Sequence, residues 1–294
     1  NIDNTKSDFS GEQFMIFKKL IGSLFCVVIF SPAVSLANGT QEFTFKDHGK
    51  ITKKISIEEL KTLVTPVEKS VYDPLEQTTI IYKALPLNTV LEKIYGAKLK
   101  QAEEFLFTCS DGYKPSIPQD ALSGAQPFLA FERVGQQSFS LINKLEGGKK
   151  IDLAPFYLIW DTGKHPKQEE WAYMIVGLDL INFEEHFPQI APANGSSVQV
   201  KRGFLSFRKN CLSCHTINGE GGGKAPELNY PVNVTEYYKE SWLKKWIAQP
   251  TSIRFNTTMP ALMVEKSKLD STIDDLVAYL KAMEKNKRPP KTDK

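Results

Sequence analysis

Cys211-Leu212-Ser213-Cys214-His215 constrains this chain more tightly than any other five residues. A C-x-x-C-H run sets two thiols three positions apart with an imidazole directly after the second. With that spacing both cysteines can form thioethers to the vinyl groups of one haem while the histidine meets the iron from one face. A C-x-x-C can also be half of a zinc site or a redox dithiol. Zinc would want two further ligands at metal spacing, and between the apolar leader and the chain end only Cys109, His48, His165 and His186 remain, all far upstream. A thioredoxin-like dithiol belongs at a strand end in a βαβ unit. Here Val200, Gly203, Phe204 and Phe207 instead recur at helical spacing and lead into the motif.

Downstream come Gly222-Gly223-Lys224-Ala225-Pro226-Glu227-Leu228 and then Thr257-Thr258-Met259-Pro260. In order and approximate spacing this region resembles class I cytochromes c, and the resemblance implies an all-α cytochrome c fold carrying one covalent haem c. It also implies that the Pro226 carbonyl accepts a hydrogen bond from the second ring nitrogen of His215, which fixes the ring and makes it a better donor. Leu228 would pack on the porphyrin. The metal ligands would be His215 and Met259, with Met263 the competitor for the distal place because methionine is often core filler. The cofactor-binding set is then Cys211, Cys214, His215, Pro226, Leu228 and Met259. His/Met ligation raises the reduction potential relative to two histidines, which suits an electron carrier.

The first residues read as a secretory signal. Lys18 and Lys19 form a basic start, Leu20 to Phe30 an apolar run, and Ser35-Leu36-Ala37 a cleavage site before Asn38, with Met15 the expected true beginning. About a dozen apolar residues are too few to span a bilayer, and no later segment is long enough, so no transmembrane segment is expected in the mature chain. About 257 residues remain, enough for two modest domains with separate cores. With 37 basic and 34 acidic residues interspersed, the net charge of +3 does not point to nucleic acid. The expected divisions are a signal at 1–37, an α+β domain at 38–190, a linker at 191–197, the cytochrome domain at 198–285 and a disordered tail at 286–294. The linker is the turn-rich Ala191-Pro192-Ala193-Asn194-Gly195-Ser196-Ser197, and the tail is lysine-rich with Pro289-Pro290.

Ile273, Leu276, Val277, Leu280 and Met283 form a helical stripe, with Ser271 or Thr272 as its N-cap. This helix should cross the one before the motif, with Gly203 allowing close approach beside Phe207 and Tyr279. Tyr238, Trp242 and Trp246 lie four apart on a helix that Pro250 ends, and read as core or haem-wall residues. In the first half, Glu42 to Lys46, Lys54 to Ile57, Thr79 to Tyr82, Phe105 to Cys109, Phe128 to Phe131, Phe156 to Trp160 and Trp171 to Leu180 are strand-like. Ser56 opens one helix and Pro86 another. A mixed α+β domain with mainly antiparallel pairing follows.

Several pieces of this half resemble the molybdopterin-binding domain of the sulfite oxidase superfamily. They are Tyr82 to Leu87, Asp111-Gly112-Tyr113 with Ser116-Ile117-Pro118, Leu129 to Glu132, and Gly147-Gly148 before a hydrophobic strand. That family carries its molybdenum-ligating cysteine before the element matching Tyr82 to Leu87, and Thr65 to Thr79 contains no cysteine. Cys109 lies after that element and does not inherit the role by position, so it reads as a small buried apolar residue. The expectation is a cofactor-free relative of the fold, without molybdopterin, serving binding or assembly.

The expected protein is therefore a periplasmic electron carrier rather than an enzyme. Its partners would be periplasmic or membrane redox proteins, and no small-molecule substrate is expected. The competing readings are a molybdenum-dependent sulfite dehydrogenase-type oxidoreductase with a haem outlet, and a haem subunit of a membrane respiratory complex. Lys224, Lys244, Lys245, Lys266 and Lys268 either solvate the surface or ring an exposed haem edge.

Overall fold

The computed structural model describes residues 42–123, 126–161 and 170–291. The signal reading of 1–37 and His165 fall outside them. The sheet-rich region contains strands β1 (Glu42–Asp47), β2 (Lys50–Ser56), β3 (Val67–Asp73), β4 (Thr78–Pro86), β5 (Glu104–Cys109), β6 (Ser116–Pro118), β7 (Pro127–Arg133), β8 (Ser140–Asn143), β9 (Lys149–Asp152), β10 (Tyr157–Trp160) and β11 (Ile175–Ile181). Helices α1 (Ile57–Leu63), α2 (Leu87–Tyr95), α3 (Gln119–Ser123) and α4 (Phe183–His186) lie among and after them. The C-terminal region is built on α5 (Val198–Asn210), α6 (Val234–Tyr237), α7 (Glu240–Ala248) and α8 (Leu269–Glu284).

One sheet runs β2-β1-β11-β5-β6, a second β10-β7-β4-β3, and β8 pairs with β9 as a separate ribbon. All neighbours pair antiparallel except β1 with β11, so the expectation of mainly antiparallel pairing is met. Strand β1 alternates in the way a half-buried strand should, with Phe43 and Phe45 fully buried. Helix α1 begins where the hydroxyl of Ser56 accepts from Glu59 N–H and the Glu59 carboxylate accepts from Ser56 N–H, the capping box read from sequence. Apolar side chains from both sheets, among them Phe45, Phe107, Tyr82 and Leu129, share one core.

Strand β5 explains how the two halves of the chain relate. Phe105 and Phe107 enter the sheet-region core, while Leu106 between them enters a second cluster with Ile181, Phe183, Phe187 and Ile190. That second cluster is the core of the helical region, containing Phe207, Leu243, Leu276, Tyr279 and Met283. A strand buried on both faces must be covered on both, and the helices supply the second cover over Leu106. The two cores therefore stand back to back across β5, and the described residues of both regions belong to one compact unit. Polar contacts reinforce the junction. The Arg208 guanidinium pairs with the buried Glu104 carboxylate and stacks 3.5 Å over the Phe183 ring. The Tyr279 hydroxyl donates to the Ile190 carbonyl at 2.7 Å.

In the helical region α5 crosses α8 at Gly203, where a Cβ would run into the Asp275 carbonyl, and Phe207 packs 5.2 Å from the Tyr279 ring. Helix α8 starts earlier than expected. Its first residue is Leu269, and Ser271 donates back to the Lys268 carbonyl instead of capping. Tyr238 ends α6 rather than riding on α7, and Trp242 is 51% exposed, so of that aromatic row only Trp246 is half-buried. The tail expected to be disordered is held as far as Lys291. Arg288 N–H donates to Asn218 at 3.0 Å, Lys287 pairs with Glu236, and Pro290 packs against Gly219.

Removing one partner of a mostly buried, hydrogen-bonded ion pair leaves the other desolvated. Glu104→Gln should therefore lower urea-measured stability by about 1–3 kcal/mol, with Arg208 part-exposed keeping the loss below the fully buried case. Sheet and helical regions should still unfold in one transition; two separated transitions would show that the β5 junction does not couple them.

Candidate functional site

Helix α5 delivers the motif. At its end Cys211 and Leu212 N–H both donate to the Phe207 carbonyl, and Cys214 and His215 N–H both donate to the Cys211 carbonyl. One tight turn thus carries both thiols and the imidazole. The chain then reverses through Asn218 and Gly219, both at positive φ (57° and 80°), pairing Thr216-Ile217 with Glu220-Gly221. Asn-Gly is the two-residue sequence for such a reversal. Gly222 N–H donates to the Leu212 carbonyl and Ala225 N–H to the Cys214 carbonyl. A Cβ on Gly222 would collide with the Ser213 carbonyl, so this approach requires glycine.

The reversal brings the Pro226 carbonyl 2.8 Å from His215 Nδ1. A carbonyl only accepts, so Nδ1 carries the proton and Nε2 keeps its lone pair. Burial also depresses the histidine pKa, more than the Pro226 carbonyl and the Glu227 carboxylate restore it, which favours the neutral ligand form. Burial and the neighbouring Cys214 push the Cys211 thiol up to about 12. A redox dithiol depends on the opposite, a thiol pKa drawn down toward neutrality. Leu228 is half-buried against the helical-region core, and its N–H donates to the Thr216 carbonyl.

The loop is cross-braced by residues that sequence reasoning missed. The Glu227 carboxylate accepts from the backbone N–H groups of Asn218, Gly219, Asn229 and Tyr230. Burial acts to raise its pKa, but the hydrogen bonds from the Thr216 side chain and these amides outweigh it and hold the carboxyl below its ordinary 4.5. Asn233 donates to Asn229 and Asn229 to Asn218, all three side chains being buried. The Asn-Gly pair was the one available signal; nothing in a single sequence marks a carboxylate that serves four amides.

Met259 lies on the other loop, half-buried, with its N–H on the Thr257 hydroxyl at 3.3 Å, whereas Met263 is 66% exposed. Among the five lysines, Lys224 pairs with Asp111 at 2.7 Å, Lys244 with Glu240 and Asp274, and Lys268 with Glu265. Lys245 lies over the Trp242 ring. Cys109 is buried in the sheet-region core, where burial raises its thiol pKa. Glu170 accepts from the Tyr113 hydroxyl at 2.7 Å, and burial raises its pKa.

Two thiols, a neutral imidazole with a fixed tautomer and a backbone carbonyl behind it form the donor set that a covalently attached haem requires. Residues 200–284 match the cytochrome c family. This C-terminal cytochrome c domain implies haem c and redox partners, and Cys211, Cys214 and His215 are the residues in it that fit the group. No helix among the described residues is long and apolar enough to cross a membrane.

Glu227→Gln should destabilise the loop in a pH-dependent way. A carboxylate with a depressed folded pKa stabilises above its unfolded value and loses that contribution as pH falls through the folded one. The stability gap between wild type and variant should hold above about pH 5 and close below 4.5. A gap independent of pH would assign the effect to packing.

Proposed function

We propose that this protein is a periplasmic monohaem c-type cytochrome that passes single electrons between redox proteins. Its sheet-rich region is a cofactor-free module with the sulfite-oxidase-like arrangement, used for binding or assembly. The observation that carries the reading is the 2.8 Å contact of His215 Nδ1 with the Pro226 carbonyl, made on the turn that presents Cys211 and Cys214. Bound there, haem would supply a one-electron Fe(III)/Fe(II) couple.

The chain's own part is to bind and orient. Cys211 and Cys214 tether, His215 donates through Nε2, and the Pro226 carbonyl holds the imidazole proton on Nδ1 and raises its basicity. Leu228 contributes an apolar wall. Met259 would supply a thioether ligand; its partial burial favours it over the exposed Met263. If His215 and Met259 both held the iron, no place on it would remain for a substrate, which separates a carrier from an oxidase. Absence of a cysteine between Thr65 and Thr79, together with the burial of Cys109 in an apolar core, supports a sheet region without molybdenum.

Protein purified from its native host should contain one covalent haem iron per chain and no molybdenum; stoichiometric molybdenum would replace the carrier with the oxidoreductase. Met259→Ala should abolish the near-infrared charge-transfer band of sulfur-ligated ferric haem and lower the potential, with Met263→Ala leaving both unchanged. The reverse pattern would move the ligand to Met263.

A further inference from the structure

The turn Asp111-Gly112-Tyr113, which follows β5 in the sheet-rich region, touches the haem-attachment loop at consecutive points. Gly223 N–H donates to the Gly112 carbonyl and Lys114 N–H to the Ser213 carbonyl, each at 2.9 Å. Lys224 Nζ lies 2.7 Å from Asp111, 3.4 Å from the Tyr173 hydroxyl, and over the rings of Tyr113 and Tyr173 at 5.4 and 5.2 Å. The Tyr113 hydroxyl also meets the Ser213 side chain. Gly112 has φ +89, and a Cβ there would lie 3.0 Å from both Gly223 C and Lys224 N, so the backbones meet only because the residue is glycine.

Every residue gripped lies within the segment that must hold its shape for the Pro226 carbonyl to meet His215. Ser213 stands two residues before the imidazole, and Gly223 and Lys224 stand three and two before Pro226. We propose that the Asp111–Tyr113 turn is a positioning element for the haem-attachment loop, with Gly112 and the Asp111–Lys224 ion pair as its positioning residues. The sheet-rich region thereby helps to set the reduction potential from outside the cytochrome domain. This inference rests on the haem reading above. Displacing residues 223–226 weakens the carbonyl's hold on Nδ1, leaves the imidazole a poorer donor to ferric iron, and raises the potential.

The test compares holoproteins. Gly112→Ala adds a Cβ against the loop. Gly135→Ala adds one at φ +77 with nothing within 4 Å, and so reproduces the backbone strain without the contact. Asp111→Asn/Lys224→Met removes the ion pair without changing net charge, and serves if Gly112→Ala does not mature. Expected are unchanged covalent haem content, a wild-type potential for Gly135→Ala, and for the other two a ferrous-to-ferric ratio about tenfold higher at fixed applied potential, about 59 mV for a one-electron couple. Wild-type potentials in Gly112→Ala and in the charge-neutral double variant would overturn the positioning role while leaving the haem reading intact. An unsubstituted protein that carries no covalent haem would overturn the haem reading, and this inference with it.

Discussion

Everything distinctive about the C-terminal region depends on the chain from Cys211 to Leu228 folding back far enough for a proline carbonyl to reach an imidazole. A proline nitrogen carries no hydrogen and cannot donate, so Pro226 meets His215 with its carbonyl alone and fixes the ring without ambiguity. The reversal needs an Asn-Gly turn, a glycine pressed against Ser213, and a carboxylate collecting four backbone amides. Buried Asn218, Asn229 and Asn233 then link this loop to α8, since Asn233 also donates to the Leu280 carbonyl. Such fully paired polar networks rigidify what they connect.

The second constraint comes from the sheet. Its β5 strand is buried on both faces, and the helical region covers the outer one around Leu106, beside Ile181 and Phe183. Once that face is covered, the β5–β6 turn lies against the attachment loop, where Gly112 meets Gly223 at backbone distance. Lys224, part-exposed, is consequently committed to Asp111 and to the Tyr113 and Tyr173 rings. Unlike Lys244 and Lys268, whose ion pairs are made within the helical region, it joins the two regions.

Much of this was legible in the sequence where a pattern has a single physical cause. The helix before the motif, the glycine at the α5–α8 crossing, the Ser56 capping box and the strands centred on Phe107, Leu129 and Leu158 follow from periodicity and small-residue placement. The cytochrome site was readable because its residues lie close together in sequence. Strands β3, β6, β8 and β9 were not read: three have only three or four residues, and β3 carries exposed Glu68 and Ser70 along an edge. The junction of the two cores at β5 and the grip of residues 111–114 on the loop were also out of reach. They join positions about a hundred apart, and pattern within a single segment carries no information about which face meets which neighbour.

Amide hydrogen exchange on the haem-bearing protein tests the account most directly, because the attachment loop is claimed to be held by the sheet and not only by its own turn. Gly223 and Lys114 N–H cross between the regions. The account predicts that both exchange as slowly as the buried β5 amides, opening only with the whole unit. Exchange of these two at the rate of exposed loops, while β5 stays protected, would contradict it.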